Sequence, residues 1–349
     1  MTMNRKKHRK TKSRRLAIKI AAIMIVSVLI CGSAFGIYLL KKAELAAGRS
    51  FETAGDREMS DLRDEQVEPL HDNVSILFIG VDDSEKRDQN TDNIRSDALV
   101  LATLNNADKS IKLVSIPRDT YTYIPDAGHE DKITHAYAFN GPSSAIESVE
   151  ELLNVPVDYY VRMNFDAFID VVDALDGIEV NVPYDLKEQD EFDKKDAIVL
   201  EQGYQTLNGS EALALARTRH YDNDIERGKR QQMIIESIMN KILSASSFSK
   251  YDNVIEAIGD NMKTDLTFKD MQSFFNYAKG GKPDVDTLTL DGYDDMSTGV
   301  YYWQLDDESL TEVQDILKSH LGLQPDTSTL SDSSETDIAD LTPDENETE

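Results

Sequence analysis

The sequence predicts an α/β domain in which a central mixed β-sheet is covered by helices on both faces, preceded by one transmembrane helix. Short apolar runs of strand length alternate along the chain with longer segments of helical periodicity. A single apolar run of 25 residues, flanked by basic residues, lies close to the N-terminus. Alternating strands and helices typically bury one sheet between two helical layers, which is the architecture expected here.

The N-terminal region has the pattern of a membrane anchor. Residues 1–15 contain eight Lys and Arg and no acidic residue, and residues 16–40 contain one charge, Lys19. About 20 apolar residues are enough to cross a bilayer. The basic head outweighs Lys41 and Lys42 beyond the run, which predicts a cytoplasmic N-terminus and an extracellular remainder. The alternative, a cleaved signal peptide, requires a shorter apolar run and a better cleavage site.

Two further segments differ in composition from the predicted domain, residues 74–323. Residues 41–73 are charged and poor in large apolar side chains, and we expect an extracellular stalk there. The C-terminal residues 324–349 carry nine Asp and Glu but no Lys or Arg. This acidic tail has too little apolar surface to fold and is expected to be disordered.

Within the domain, strands are predicted where apolar runs end at turn-forming residues, and helices where apolar residues recur with helical spacing. The predicted strands are residues 74–81, 98–104, 111–116, 159–163, 178–182 and 287–290, and the segment 300–305 follows them. The predicted helices are residues 142–153, 165–175, 208–217, 228–243, 254–258, 268–278 and 310–320.

Composition excludes several classes of function. The net charge of −28 argues against general binding to nucleic acid. A single cysteine, Cys31, permits neither an internal disulfide nor a thiolate metal site, and the six histidines show no metal-ligand spacing.

Charged residues collect beside the predicted ends of strands and helices, where functional residues are often found. Arginine presents a planar fork of donors that matches phosphate oxygens, so several converging arginines indicate a ligand with several phosphate charges, such as a pyrophosphate. Asp82 and Asp97, at the ends of neighbouring strands, could hold Mg²⁺ with water and phosphate oxygens. Each segment alone is more often an exposed ion pair; only the complete set favours a site.

Taken in order, these segments resemble the LytR-CpsA-Psr family of cell-wall proteins. The matching segments are GVDD, RSDALVL, SIPRDTY, KITHAYAFNG, VDALDGIEV, LNGSEALALARTRH and RGKRQQ. The resemblance is strong over residues 73–243 and fades towards residue 323. Three positions depart from the family pattern: Ala98 replaces Thr, Asn140 replaces Gly and Glu226 replaces Gly. Glu226 adds a negative charge near the expected phosphate site.

The resemblance implies a phosphotransferase in the cell membrane of a Gram-positive-type envelope. Its donor would be a teichoic acid or capsular polysaccharide on a polyprenyl pyrophosphate, and its acceptor a peptidoglycan hydroxyl. Asp82 and Asp97 would hold Mg²⁺ or Mn²⁺, while Asp224, or less favourably Asp119, would activate the acceptor. Pyrophosphate would be bound by Arg95, Arg118, Lys132, Arg217, Arg219, Arg227 and Gln231. Arg118 is also a candidate catalytic residue.

Two other functions remain open at this point. A hydrolase would use the same residues with water as the acceptor, and a non-catalytic scaffold would bind lipid-linked glycan without turnover. A transcriptional regulator is disfavoured because the only basic stretch is too short for a DNA-binding fold. Arg230 lies about 100° around its helix from Gln231 and is expected to face away from the site.

Overall fold

The computed structural model describes residues 29–82, 94–192, 194–219, 223–242, 251–278 and 283–323. It begins with a helix, α1, that extends over residues 29–50 of the described chain. Within these ranges no helix is both long enough and apolar enough to span a bilayer. Residues 16–28 of the expected transmembrane helix, and the whole acidic tail 324–349, lie outside the described residues.

The domain contains fourteen strands and seven further α-helices within the described residues. The strands are β1 Val74–Val81, β2 Ser96–Asn105, β3 Ser110–Ile116, β4 Tyr121–Ile124, β5 His129–Lys132, β6 Tyr159–Asn164, β7 Ile178–Val182, β8 Leu186–Glu188, β9 Ile198–Leu200, β10 Gly203–Leu207, β11 Met262–Thr264, β12 Asp284–Leu288, β13 Gly292–Asp295 and β14 Tyr302–Leu305. The helices are α2 Tyr137–Leu153, α3 Phe165–Ala174, α4 Gly209–Arg217, α5 Asp224–Ile242, α6 Tyr251–Asn261, α7 Phe268–Ala278 and α8 Asp307–Leu321.

A six-stranded mixed sheet of order β11-β6-β1-β2-β3-β12 forms the centre of the fold. β1 pairs with β2 antiparallel and with β6 parallel, and β12 joins β3 in parallel. Side chains alternate across the sheet, so Leu77 and Ile79 of β1 pack on the face covered by α2 and α8. Ile76 and Phe78 pack on the opposite face, against α5 and α7. The predicted α/β architecture with a central mixed sheet and helices on both faces is confirmed.

Two helix starts differ from the sequence prediction in a way that affects the site. α5 begins at Asp224 rather than residue 228, because the Asn223 side chain accepts a hydrogen bond from the Glu226 amide at 3.0 Å and caps the helix. α2 begins at Tyr137 and bends at Asn140 and Gly141, where the backbone leaves helical geometry before Pro142. The earlier start of α5 puts Asp224 in its first turn.

Residues 51–73, within the segment expected to be a stalk, pack against the domain. Ala54 is buried in the core cluster beneath α2 and α8. Arg57 donates to both carboxylate oxygens of Glu150, at 2.7 and 2.6 Å, and Arg63 donates to Asp158 at 2.7 and 2.9 Å. These largely buried ion pairs hold the segment against the domain.

Candidate active site

A β-bulge at the end of the β1–β2 pair sets the direction of Asp97. Gly80 is paired with Ala98 and Val81 with Ser96, so Asp97 is the extra residue between them. Such a bulge turns a side chain away from the regular alternation of a strand. Asp82, the residue after β1, lies at the same end of the pair and is partly buried.

The loop after β3 brings Arg118 and Asp119 to this end of the sheet. The Arg118 guanidinium donates to the Asp97 carboxylate, and its Nε lies 3.7 Å from Asp119 Oδ2. Lys132, the last residue of β5, donates to Asp119 Oδ1 at 2.7 Å. Thr134 N donates to the Arg118 carbonyl at 3.1 Å, which ties the end of β5 to the loop. Asp119 is buried, and its carboxylate pairs with both Arg118 and Lys132.

The start of α5 closes the other side of the site. Arg227 is only 4% exposed, and its Nη2 donates to the Asp97 carbonyl at 3.3 Å. Its Nη1 lies 3.4 Å from Asp224 Oδ1, which Arg219 Nε approaches to 3.6 Å. Burial, together with the charges of Arg219 and Arg118, lowers the pKa of Arg227 to about 10 against the opposing effect of Asp224 and Asp97. Arg227 remains cationic at neutral pH.

These contacts form one chain of alternating charge, which we call the ionic chain. Its members are Lys132, Asp119, Arg118, Asp97, Arg227, Asp224 and Arg219. Four cations face three carboxylates, so the chain carries a net positive charge. Among the described residues, the buried Nε groups of Arg118 and Arg227 have no hydrogen-bond partner. Unsatisfied buried donors are costly, so both guanidinium groups retain hydrogen-bonding capacity that the described protein groups do not use.

Gly228 allows α5 to approach the sheet closely enough to complete this arrangement. A Cβ atom at position 228 would lie 2.7 Å from Ser115 Oγ and 2.9 Å from Ser115 Cβ. Only glycine permits that contact between α5 and β3. The neighbouring Gln232 is buried and donates to the carbonyls of Leu113 and Leu288, at 3.2 and 3.1 Å, which fixes the helix on β3 and β12.

The other three residues predicted to bind pyrophosphate have different neighbours in the described part of the structure. Arg217 stacks on the Phe165 ring, with its guanidinium carbon 4.7 Å from the ring centroid. Gln231 Nε2 lies 3.5 Å from the Ala216 carbonyl, beside the end of α4. Arg95 is exposed immediately before β2. Their roles in binding stay predictions.

Arg230, which was expected to face away from the site, is buried against the end of α4. It is 3% exposed and donates to the Leu215 carbonyl at 3.0 Å, the Thr218 carbonyl at 2.6 Å and the Tyr184 hydroxyl at 2.8 Å. Helix carbonyls near a C-terminus lack internal partners, and a guanidinium satisfies several at once. Arg230 therefore fixes the end of α4, and hence the loop that carries Arg219.

The sequence analysis did not identify the aromatic residues beside the ionic chain. The Lys132 ammonium lies 5.5 Å from the ring centroid of Tyr301 and 5.7 Å from that of Tyr302. Trp303 N donates to the Asp119 carbonyl at 2.9 Å and joins this segment to the site. The aromatic run Tyr301-Tyr302-Trp303 could have indicated a binding surface, but nothing in the sequence around it shows that it lies beside Asp119.

The carboxylates at the strand ends suit a hard cation only in part. Asp82 and Asp97 supply oxygen ligands of the type that Mg²⁺ prefers. In the described ranges no group of three or more His, Cys, Asp and Glu could hold a metal ion. A bound ion would therefore keep water or take ligand oxygens, which fits the coordination habits of Mg²⁺.

Comparisons with known proteins by sequence and by structure point to the same family. Residues 42–319 match the model of the LytR_cpsA_psr family. The polyisoprenyl-teichoic acid-peptidoglycan teichoic acid transferase TagT of Bacillus subtilis (strain 168) is 38% identical over 324 residues, covering 92% of this chain and 100% of TagT.

Solved structures of TagT share the fold. TagT bound to LIIa-WTA superposes with a TM-score of 0.65 at 39% identity, over 77% of this chain and 98% of that one. TagT with bound octaprenyl pyrophosphate lipid gives a TM-score of 0.61 at 36% identity, over 77% and 98%. With sequence, fold and motifs in agreement over most of its length, this chain belongs to the LytR-CpsA-Psr family.

Proposed function

We propose that this protein is a phosphotransferase that moves a glycopolymer of the teichoic acid or capsular polysaccharide type to peptidoglycan. The donor is the polymer on a polyprenyl pyrophosphate, and one phosphate travels with the polymer. The ionic chain, with the unpartnered Nε groups of Arg118 and Arg227, is the observation that carries this proposal. The naming of TagT as a teichoic acid transferase and its octaprenyl pyrophosphate complex support it.

In this proposal the pyrophosphate binds between the two halves of the ionic chain. Arg118, Lys132, Arg219 and Arg227 together contact the two phosphates. Asp119 and Asp97 hold these cations at fixed distances before the substrate arrives. Phosphoryl transfer depends mainly on positioning and on neutralising charge in the transition state, and a preorganised set of cations supplies both.

The chemical step exchanges one phosphorus–oxygen bond for another. An acceptor hydroxyl oxygen attacks the phosphorus that bears the glycan, and the bond from that phosphorus to the bridging oxygen breaks. Polyprenyl monophosphate leaves with the bridging oxygen. Asp224, which lies between Arg219 and Arg227, accepts the hydroxyl proton. Asp119 is already engaged by Lys132 and acts as a positioning residue.

We propose Mg²⁺ or Mn²⁺ as a cofactor held by Asp82 and Asp97. The ion would neutralise charge on the pyrophosphate. Arg118, which pairs with the Asp97 carboxylate, would then be free to turn its guanidinium towards a phosphate oxygen.

The polyprenyl chain is proposed to lie on the sheet face beneath α5 and α7. Among the described residues, ten of the nineteen apolar side chains clustered there are only partly buried, against five of twenty-seven on the α2 and α8 face. The partly buried set includes Met163, Met239, Met262 and Met271. Methionine side chains are flexible and adapt to irregular apolar ligands. This face is therefore the better candidate for a lipid groove.

We further propose a single-pass membrane protein with a cytoplasmic N-terminus and an extracellular catalytic domain. The charge difference across residues 16–40 supports this orientation. A reporter enzyme that works only outside the cytoplasm should be active when it is fused after Leu323. Activity of a reporter that works only in the cytoplasm would contradict the proposal.

Incubation of the purified protein with lipid-linked glycan, Mg²⁺ and peptidoglycan, followed by mass spectrometry, tests the reaction. A transferase yields glycan-phosphate joined to peptidoglycan together with polyprenyl monophosphate. A hydrolase releases glycan-phosphate even when acceptor is present, and a scaffold yields no product. Excess chelator and Asp97→Ala should both reduce turnover; full turnover in chelator would contradict the metal proposal.

A further inference from the structure

We propose that Tyr301 and Tyr302 form a subsite for the first sugar of the lipid-linked glycan. This inference rests on the proposed function, since it adds a sugar site beside the pyrophosphate. Both tyrosines are partly exposed, and their rings flank the Lys132 ammonium at 5.5 and 5.7 Å. A sugar bonded to a phosphate that Lys132 contacts would lie within reach of these rings.

The two rings are held in fixed positions before any ligand binds. The Tyr301 hydroxyl donates to Asp294 Oδ1 at 2.8 Å, across the β13–β14 hairpin. The Tyr302 ring packs edge to face on Tyr121, with centroids 4.8 Å apart, and Tyr121 donates to Glu130 Oε2 at 3.0 Å. Rigid rings lose little entropy when a ligand stacks on them, and this favours binding.

The charges around the rings select the chemical class of the ligand. Glu130 and Asp294 accept hydrogen bonds from tyrosine hydroxyls here, and Asp131 adds a third carboxylate close to Tyr302. These carboxylates repel a further phosphate, whereas each has lone pairs left to accept from sugar hydroxyls. Aromatic rings also pack well against the apolar C–H face of a pyranose. The surroundings therefore favour an uncharged sugar.

The position of the tyrosines also separates the sugar from the lipid. Leu305 at the end of β14, Leu290 before β13 and Ile133 after β5 pack on the α2 and α8 side of the sheet. The proposed lipid groove lies on the opposite side, with Ile235 and Met239 of α5. A donor whose pyrophosphate occupies the ionic chain would thus extend its lipid and its glycan in different directions.

Two substitutions of Tyr301 isolate the contribution of the aromatic ring. Tyr301→Phe and Tyr301→Leu both remove the hydroxyl that bonds Asp294, but only Phe keeps a ring. Tyr204→Leu, at a tyrosine that is 75% exposed on β10, is the matched control. Calorimetry on the full-length protein in detergent would compare octaprenyl pyrophosphate with the same lipid carrying one N-acetylglucosamine.

We expect the sugar-bearing lipid to bind the unmodified protein more tightly than the sugar-free lipid. Tyr301→Leu should reduce this preference roughly fivefold or more, by analogy with stacking on other aromatic side chains. Tyr301→Phe and Tyr204→Leu should retain it, and sugar-free binding should be unchanged in all three.

Equal effects of Phe and Leu, or no preference for the sugar-bearing lipid, would overturn the subsite while leaving the proposed function intact. Failure of the unmodified protein to bind either lipid would overturn both. An unchanged preference in Tyr301→Leu, with a raised KM for peptidoglycan, would assign the rings to the acceptor and also overturn the proposal.

Discussion

At the scale of single residues, the site depends on arginines whose guanidinium groups are each shared between two oxygen acceptors. Arg118 contacts Asp97 through Nη1 and lies near Asp119 through Nε. Arg227 does the same with the Asp97 carbonyl and the Asp224 carboxylate. A guanidinium can satisfy two partners in fixed directions, whereas an ammonium acts as a point charge. The geometry therefore requires arginine at both positions.

The first prediction concerns Arg118. Arg118→Ala should reduce transfer roughly a hundredfold, because a lost charge-assisted contact to the reacting phosphate costs about 2–4 kcal/mol of transition-state stabilisation. Arg118→Lys should restore little of this rate, since it cannot reach both carboxylates. Lys269→Ala, which removes an exposed cation paired with Glu68, is the control and should leave the rate unchanged. Full activity of Arg118→Lys would show that charge alone is sufficient.

The residue types of the site could be predicted from sequence, but their partners could not. Arginines and aspartates at strand ends indicated a phosphate site, and seven of the eleven predicted site residues make up the ionic chain. The burial of Arg230 against the end of α4 depends on Tyr184, which is distant in sequence. Helical spacing predicts the direction in which a side chain leaves the helix axis, but not which other residues it meets there.

At the scale of elements, the strands with apolar sequences were predicted well and the polar hairpins were missed. The bounds of β1 agree fully with the prediction, because its side chains are almost all buried. β5 has the sequence HEDK and forms a strand only because β4 pairs with it. Residues 51–73 were expected to be a stalk because they are charged and poor in large apolar side chains. Their packing on the domain depends on Arg57 and Arg63, whose partners are about ninety residues away in sequence.

The second prediction concerns the contact between α5 and β3. Gly228→Ala should lower both stability and transfer, because the new Cβ would collide with Ser115 and move Arg227. Alanine normally stabilises a helix interior by roughly 1 kcal/mol relative to glycine. Gly48→Ala in α1, where no atom lies within 4 Å of the added Cβ, should therefore be harmless.

The double variant Gly228→Ala with Ser115→Gly removes the collision and should regain stability in urea unfolding. If the stability loss of the double variant equalled the sum of the losses of the two single variants, the two positions would not be coupled, contrary to the structure.

The third prediction tests whether residues 51–73 are part of the folded domain. Arg57→Ala leaves Glu150 buried without its main partner and should lower the free energy of unfolding by about 3–5 kcal/mol. Lys112→Ala breaks the exposed pair with Asp286 and should cost less than about 1 kcal/mol. The urea midpoints of both variants measure the difference. Equal, small effects would indicate that the segment is only a spacer.

At the scale of the whole molecule, an acidic protein contains a positively charged site. The net charge is −28, yet the ionic chain has more cations than carboxylates. The net negative charge disfavours polyanions in general, whereas the excess of cations in the ionic chain attracts a phosphate group locally. This contrast suits a pyrophosphate end group better than an extended nucleic acid.

The fourth prediction concerns pH and the buried His320, which joins α8 to the sheet through Thr103 and Ser110 at 2.8 and 2.9 Å. Burial lowers its pKa from 6.5 to about 4. The unfolded chain therefore binds a proton at higher pH than the folded protein, and stability is lost as pH falls from about 6.5 to 4. The loss attributable to His320 is on the order of 2–3 kcal/mol.

His320→Gln should remove that dependence. Asp265, whose pKa burial raises to about 7, titrates over the same range with the opposite sign, so the unmodified protein and the variant must be compared at each pH. The difference in their unfolding free energies should shrink as pH falls. A constant difference from pH 7 to pH 4 would show that His320 is not a buried neutral group.

The measurement that tests the central claim most directly is the affinity of the full-length protein for octaprenyl pyrophosphate and for octaprenyl monophosphate. The two ligands share the lipid and differ by one phosphate, so their comparison isolates the ionic chain from the groove. The account predicts that pyrophosphate binds roughly tenfold or more tightly, since the second phosphate gains charge-assisted hydrogen bonds worth about 1.5–3 kcal/mol. Equal affinities for the two lipids would contradict a pyrophosphate site at these residues.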